Sequence, residues 1–476
     1  MVLKKTRKYK LKNKLKNKKT RRKNKMGGEA IAAGGYGCVF KPVLRCQQEN
    51  FKTQSSSKQS SSKQSSSNQS SSKQRNKNLV SKLLMKEDAF DEMEEIEGIL
   101  KFIKKNPNNS KYFIINDQVS ICKPAPLSKE DLHNYDKVCL NTKVGQSGIN
   151  STNINENLDK LNIINQIDGG KDLDVYIQTH YFKKLNNKER LVEFRKLNTS
   201  LINLLINAIV KINKDGLYHL DIKGSNILLG KDGNTRLIDW GASFVYHPLQ
   251  NTKDIYSSKS ITNSKYDIPQ RIFNKAIFQF NLPFSIILFF ENFDDILMDK
   301  MDKIKETKLA KKNEIVNYLA EEIILISLKE SGEGHFQLIL EYMVSIYNYV
   351  INYGNSNSNN NNIFTQKDAY NLIIQYISNV LLNFLDFSTF KFNLEKFFNN
   401  VFRHNIDVYG FLMSYNDFIL QNDDSKMVKD NNEEKKIYKQ LAEIIIEFCY
   451  STKYASKPIP IKTLITRLKM LNKIST

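Results

Sequence analysis

The chain has 476 residues and a formal charge of +22, a length that calls for two lobes or two domains with a substantial core. Its longest apolar run, Phe284 to Phe290, falls far short of the roughly 20 residues that cross a bilayer, and its charged start is no signal peptide, so a soluble, non-secreted protein is expected. Cys38, Cys46, Cys122, Cys139 and Cys449 show no C-x-x-C spacing, which argues against a structural zinc site and a disulfide scaffold and fits a reducing intracellular compartment.

The charge is concentrated. Residues 1 to 25 hold fourteen Lys and Arg with no acid, and residues 51 to 77 hold six more with none; taking both from +22 leaves +2 for the rest. The first 26 residues therefore read as a basic, disordered tail. Such a tail suits an anionic partner (nucleic acid, an anionic membrane or an acidic protein) or a nuclear address, against the plain alternative of a solvated segment.

Ile31 to Phe40 follows as a Gly-rich turn between two strands, with Gly34, Gly35 and Gly37. The pentads Ser55–Gln59, Ser60–Gln64, Ser65–Gln69 and Ser70–Gln74 form a low-complexity insertion, 50–77, that cannot bury a core. Leu79 to Leu84 then reads as a strand on which Val80 and Lys82 share a face. Residues 87 to 104 place Met93, Ile96, Ile99 and Leu100 on one side of a helix, with Glu92 and Glu95 among its acids. A strand near Leu161 to Ile167 runs into the turn Asp168-Gly169-Gly170-Lys171-Asp172, and helical spacing returns from Leu191 to Ile212. Beyond it the chain reads mainly helical, with an Asn-rich loop at 354–362.

His219-Leu220-Asp221-Ile222-Lys223-Gly224-Ser225-Asn226 carries the chemistry. Ile227 to Leu229 and Arg236 to Ile238 read as short strands joined by Gly230 to Asn234, a hairpin that returns Asp239 to the side of Asn226. A carboxylate to orient a hydroxyl, a lysine for developing negative charge, and an amide with a second carboxylate for Mg²⁺ are the requirements of phosphoryl transfer.

The order H-x-D-x-K-x-x-N followed by Asp239-Trp240-Gly241 resembles the catalytic and metal loops of protein kinases. The Lys-rich start, Gly34-Gly35-Tyr36-Gly37-Cys38-Val39-Phe40-Lys41-Pro42 with Cys46, Val80-Ser81-Lys82-Leu83 and Asn281-Leu282-Pro283-Phe284-Ser285 resemble more narrowly the serine/threonine kinases of giant viruses, the nucleocytoplasmic large DNA viruses. The resemblance implies an α+β, bilobal protein-kinase-like fold. Residues 27–168 would form a small β-rich N-lobe and 169–476 a larger, mainly helical C-lobe with insertions.

It further implies ATP and Mg²⁺ as cofactors and protein substrates, phosphorylated on Ser or Thr since Lys223 lies two residues after Asp221. Asp221 and Lys223 would be catalytic, and Asn226 and Asp239 would hold metal. Gly34, Gly35, Gly37 and Lys82 would hold phosphates, with Glu95, or else Glu92, pairing with Lys82. Val39, Val80, Ile164, Asn165 and Ile167 would surround adenine, and Asp172 would bond ribose or simply serve its turn. Asp407, in Asn405-Ile406-Asp407, would fix the catalytic-loop backbone, which places a large helical insertion before it. A viral kinase would work in host cytoplasm, with virion and nucleus as alternatives.

Departures from the kinase pattern are Ala32 at the first glycine, Trp240 for phenylalanine, no Ala-Pro-Glu motif, and Leu220 where many kinases carry the arginine that pairs with a phosphorylated loop. Small-molecule kinases, which usually lack the equivalent of Lys223, and a pseudokinase or scaffold are the competing readings.

Overall fold

The computed structural model describes residues 28–47, 78–105, 107–115, 119–247, 265–290, 293–306, 311–352, 363–423 and 432–474. The basic tail 1–26, the insertion 50–77 and the Asn-rich loop 354–362 lie outside the described residues. The protein is mixed helix and sheet, in two compact units. The first comprises the chain to Ala89 with Ser120–Asn165, and the second Phe90–Val119 with Gln166–Thr476. The partition differs from the expected lobe 27–168, because most of the helix after Lys82 groups with the larger unit.

In the first unit, β1 (Glu29–Ala33), β2 (Cys38–Lys41), β3 (Leu79–Met85), β4 (Ser120–Cys122) and β5 (Leu161–Ile167) form a five-stranded sheet in the order β1-β2-β3-β5-β4. Alternation along β2 and β3 sends Cys38, Phe40 and Leu83 into a core shared with Tyr135, Val144, Ile154 and Leu161. Ser81 is fully buried on β3; its hydroxyl accepts from the Leu44 amide and donates to Asn165, so the one polar core position of the strand is satisfied.

The cysteine expectation needs correction. Disulfides join Cys38 to Cys139 and Cys46 to Cys122, with Cα separations of 5.6 and 5.8 Å, and only Cys449 is free. The partners stand 101 and 76 residues apart in sequence, so short-range spacing carried no trace of the pairing. Loops of that length are worth up to about 4–5 kcal/mol each in the chain-entropy account of cross-linking.

The second unit takes the rest of α1 (Lys86–Lys105), whose Ile96 and Ile99 are buried as its periodicity predicts. A long helix starts at Asn186, which caps it in a reciprocal box with Glu189, and continues through a π turn to Lys214. Gly216, at φ +84°, ends it and delivers the chain to the loop that begins at His219. The apolar run Phe284–Phe290 is buried as core. Helices Phe293–Glu306, Lys312–Glu330, Phe336–Ile351 and Gln366–Phe384 then separate it from the helix Arg403–Met413, which carries Asp407. These four occupy the interval in which a helical insertion is expected. No described helix is long and apolar enough to cross a membrane.

Alkylation tests the disulfide pairing. The denatured, unreduced protein should expose one reactive thiol, Cys449, and reduction should expose five; five thiols before reduction would refute the pairing.

Candidate active site

The loop from His219 to Asn226 is built from its backbone outward. The buried Asp407 carboxylate accepts the amides of His219 (2.8 Å) and Leu220 (2.9 Å) and the side-chain amide of Asn213 (2.7 Å). Leu220 sits at φ +61°, a left-handed conformation that costs a leucine about 1–2 kcal/mol. Two amide bonds to a charged acceptor, each roughly 1.5–3 kcal/mol, outweigh that strain. Asp407 thus imposes a backbone that the loop would not adopt by itself.

The loop then presents Asp221. Its Oδ2 accepts from Lys223 Nζ (2.9 Å) and Asn226 Nδ2 (3.1 Å), and its Oδ1 from Asn281 Nδ2 (2.8 Å). Burial alone would raise its pKa, but the Lys223 ammonium with the hydrogen bonds from Lys223 and Asn281 holds it below the ordinary value. Asp221 therefore stays an oriented acceptor at neutral pH.

The hairpin returns the chain beside Asn226, as the sequence suggests. Here β6 (Ile227–Leu229) pairs with β7 (Thr235–Leu237) in register, Gly233 takes φ +75° in the turn, and Ile238 N–H donates to the Asn226 carbonyl at 3.1 Å. Asp239 is at φ +62°, and Trp240 packs against Phe113 and His219. Asn226 spends its amide group on Asp221, and neither its Oδ1 nor the Asp239 carboxylate accepts a hydrogen bond among the described residues. Oxygen donors of this kind could hold Mg²⁺, which is bound through one or two protein oxygens plus phosphate and water. No described cluster of three or more His, Cys, Asp or Glu offers another metal site.

In the first unit Val39 pairs with Lys82 across β2 and β3, and Val80 is buried on the same strand. The Gly34 amide donates to the Gly37 carbonyl, and the Gly35 carbonyl accepts from the Lys143 amide. None of the three glycines has positive φ. Gly37 is required by close approach: a Cβ there would meet the Leu83 carbonyl at 2.0 Å, whereas Gly34 and Gly35 border open space. Ile164 is fully buried, Ile167 is partly buried, and the Asn165 side chain serves Ser81.

Asp172 caps the short helix Leu173–Tyr176 through the Val175 amide, the turn role foreseen as its alternative. Glu95 forms an ion pair with Arg271 at 2.9 Å. Sequence reasoning missed Asn281, Arg271 and Asp174 as site residues. Asn281 stood within a motif already quoted, but its contact with Asp221 spans 60 residues and leaves no local signal.

Asp174 lies against the loop so closely that a Cβ on Gly224 would meet its Oδ1 at 1.7 Å. Burial first, then the charges of Asp417 and Asp172, push its pKa up to about 7, against a hydrogen bond from the Ser225 amide. Between the unfolded value near 3.8 and about 7, the folded state keeps a proton that the unfolded state releases. Stability is therefore lost as pH rises through that window. Asp174→Asn should raise the melting temperature most at pH 8 and hardly at pH 4; an unchanged pH slope would contradict the assignment.

These features are similar to those of protein kinases. No protein-family model matches the chain. A stretch of 106 residues, 20% of the chain, is 31% identical to the serine/threonine-protein kinase PknD of Chlamydia muridarum, and spans 11% of that protein's length. Among solved structures, the ROP18 kinase domain in complex with AMP-PNP and sucrose aligns with a TM-score of 0.27 at 14% identity, over 53% of this chain and 58% of that one.

Proposed function

We propose that this protein is an ATP-dependent protein kinase of bilobal fold that transfers the γ-phosphoryl group of Mg·ATP to Ser or Thr hydroxyls of protein substrates. The observation that carries the reading is Asp221, fixed by three donors beside two metal-competent oxygens on Asn226 and Asp239. The 31% identity of one stretch to a serine/threonine kinase supports it.

Asp221 would orient the attacking hydroxyl and take its proton as the bond to phosphorus forms. Its lowered pKa makes it a weak base, which suits a late proton transfer after most of the leaving-group bond has broken. Lys223 would neutralise charge on the moving group, and Lys82 with the Gly34–Gly37 turn would hold the remaining phosphates. Bound at Asn226 and Asp239, Mg²⁺ would neutralise the phosphate oxygens. Leu220 supplies no cation for a phosphorylated loop, so activity would not depend on that switch. The giant-virus affiliation rests on the Gly34–Pro42 and Asn281–Ser285 resemblances.

Asp221→Asn should lower phosphate transfer to Ser/Thr peptides roughly a thousandfold while a Mg·ATP thermal shift persists. Retained transfer would sink this mechanism. Nucleotide binding by the wild type without transfer to any acceptor would favour the scaffold reading, and transfer to small molecules alone would favour a small-molecule kinase.

A further inference from the structure

The turn after Asp239 is held by a cation from a distant part of the chain. Arg271 Nη1 donates to the carbonyls of Gly241 and Ser243, both at 2.7 Å, and Nη2 donates to Glu95 Oε1 at 2.9 Å. Two carbonyl oxygens converging on one nitrogen would repel each other without a positive charge between them. The Ser243 amide closes the turn on the Trp240 carbonyl at 2.8 Å. Arg271 is itself fixed, because its short helix Gln270–Phe273 buries Ile272 and Phe273. Only a guanidinium offers donors in a planar fork that meets three acceptors together; a lysine ammonium is a single point.

Asp239 needs such support. A non-glycine residue at φ +62° stays there only when its surroundings over-determine it, at a cost of order 1–3 kcal/mol. On its amino-terminal side the Ile238 amide is tied to Asn226, and on its carboxy-terminal side the ties are those to Arg271. Glu95 offsets the buried part of the guanidinium charge and joins α1 to the same turn.

We propose that Arg271 is a positioning residue that holds the Asp239 carboxylate in its metal-binding orientation through the Gly241 and Ser243 carbonyls, with no phosphate required. The metal-binding part rests on the kinase reading; the ordering of the turn does not. Arg271 would thereby make permanent, by a fixed charge in the chain, an order that Leu220 cannot supply.

The protein carries its own reporter, since Trp240 is its single tryptophan, 4% exposed and inside the turn. In full-length Arg271→Ala, Trp240 emission should shift to the red and acrylamide quenching should at least double. The Mg²⁺ concentration giving half-maximal thermal stabilisation by ATP should rise about tenfold, the effect of one lost charge-assisted contact. Methylguanidinium should restore part of both, which general loss of packing would not allow. If Arg271→Ala does not fold, Arg271→Met keeps the stem and removes the donors, and is read the same way.

Unchanged Trp240 emission and an unchanged Mg²⁺ requirement in a folded variant would overturn the proposal. Absence of Mg·ATP binding and transfer in the wild type would instead overturn the kinase reading, while the fluorescence still decides whether Arg271 orders the turn.

Discussion

One buried carboxylate sets the geometry on which the site depends. Asp407 accepts two consecutive backbone amides and a side-chain amide, and so holds Leu220 in a left-handed conformation. Without it the strain at Leu220 favours relaxation to an ordinary extended or helical backbone. Everything after Leu220 would then turn: Asp221 would leave Lys223, Asn226 and Asn281, and Asn226 would no longer receive Ile238. The carboxylate comes from a helix close to 190 residues downstream, so the loop is an achievement of the second unit's whole core.

A second strained residue, Asp239, repeats the logic. Both candidate catalytic strands of chain pass through a left-handed non-glycine residue, and each is held by charge-assisted bonds to backbone, negative from Asp407 in one case and positive from Arg271 in the other. His219 links the two, with its amide on Asp407, its ring nitrogen on the Ile238 carbonyl and its ring against Trp240. Strain concentrated where function is proposed, and balanced by buried polar bonds, is what preorganisation requires.

Local signals made part of this legible. The spacing of Asp221, Lys223 and Asn226, the Gly230–Asn234 hairpin and the periodicity of α1 are short-range patterns, and the structure follows them. Asp407 was reachable because its motif resembles a helix start with a known task. Arg271, Asn281 and Asp174 were not, since each acts across a long interval and none stands in a periodic pattern that marks its target. The disulfides were misjudged for the same reason: packing of the helix Tyr135–Cys139 against the sheet brings Cys139 to Cys38, the bridge of Cys46 to Pro124 brings Cys46 beside Cys122, and no spacing rule anticipates either. In the first hairpin Gly37 is selected by the closeness of the Leu83 carbonyl, a contact across strands that the local sequence does not mark.

On the proposed kinase reading, Asp407 shapes the loop from His219 to Asn226 for phosphoryl transfer. The most direct measurement of this is the steady-state kinetics of Asp407→Asn against wild type, with ATP and a Ser/Thr peptide. The account predicts a kcat lower by roughly a hundredfold, from two weakened amide bonds, with KM for ATP changed by less than about threefold. A variant that turns over at the wild-type rate would contradict it.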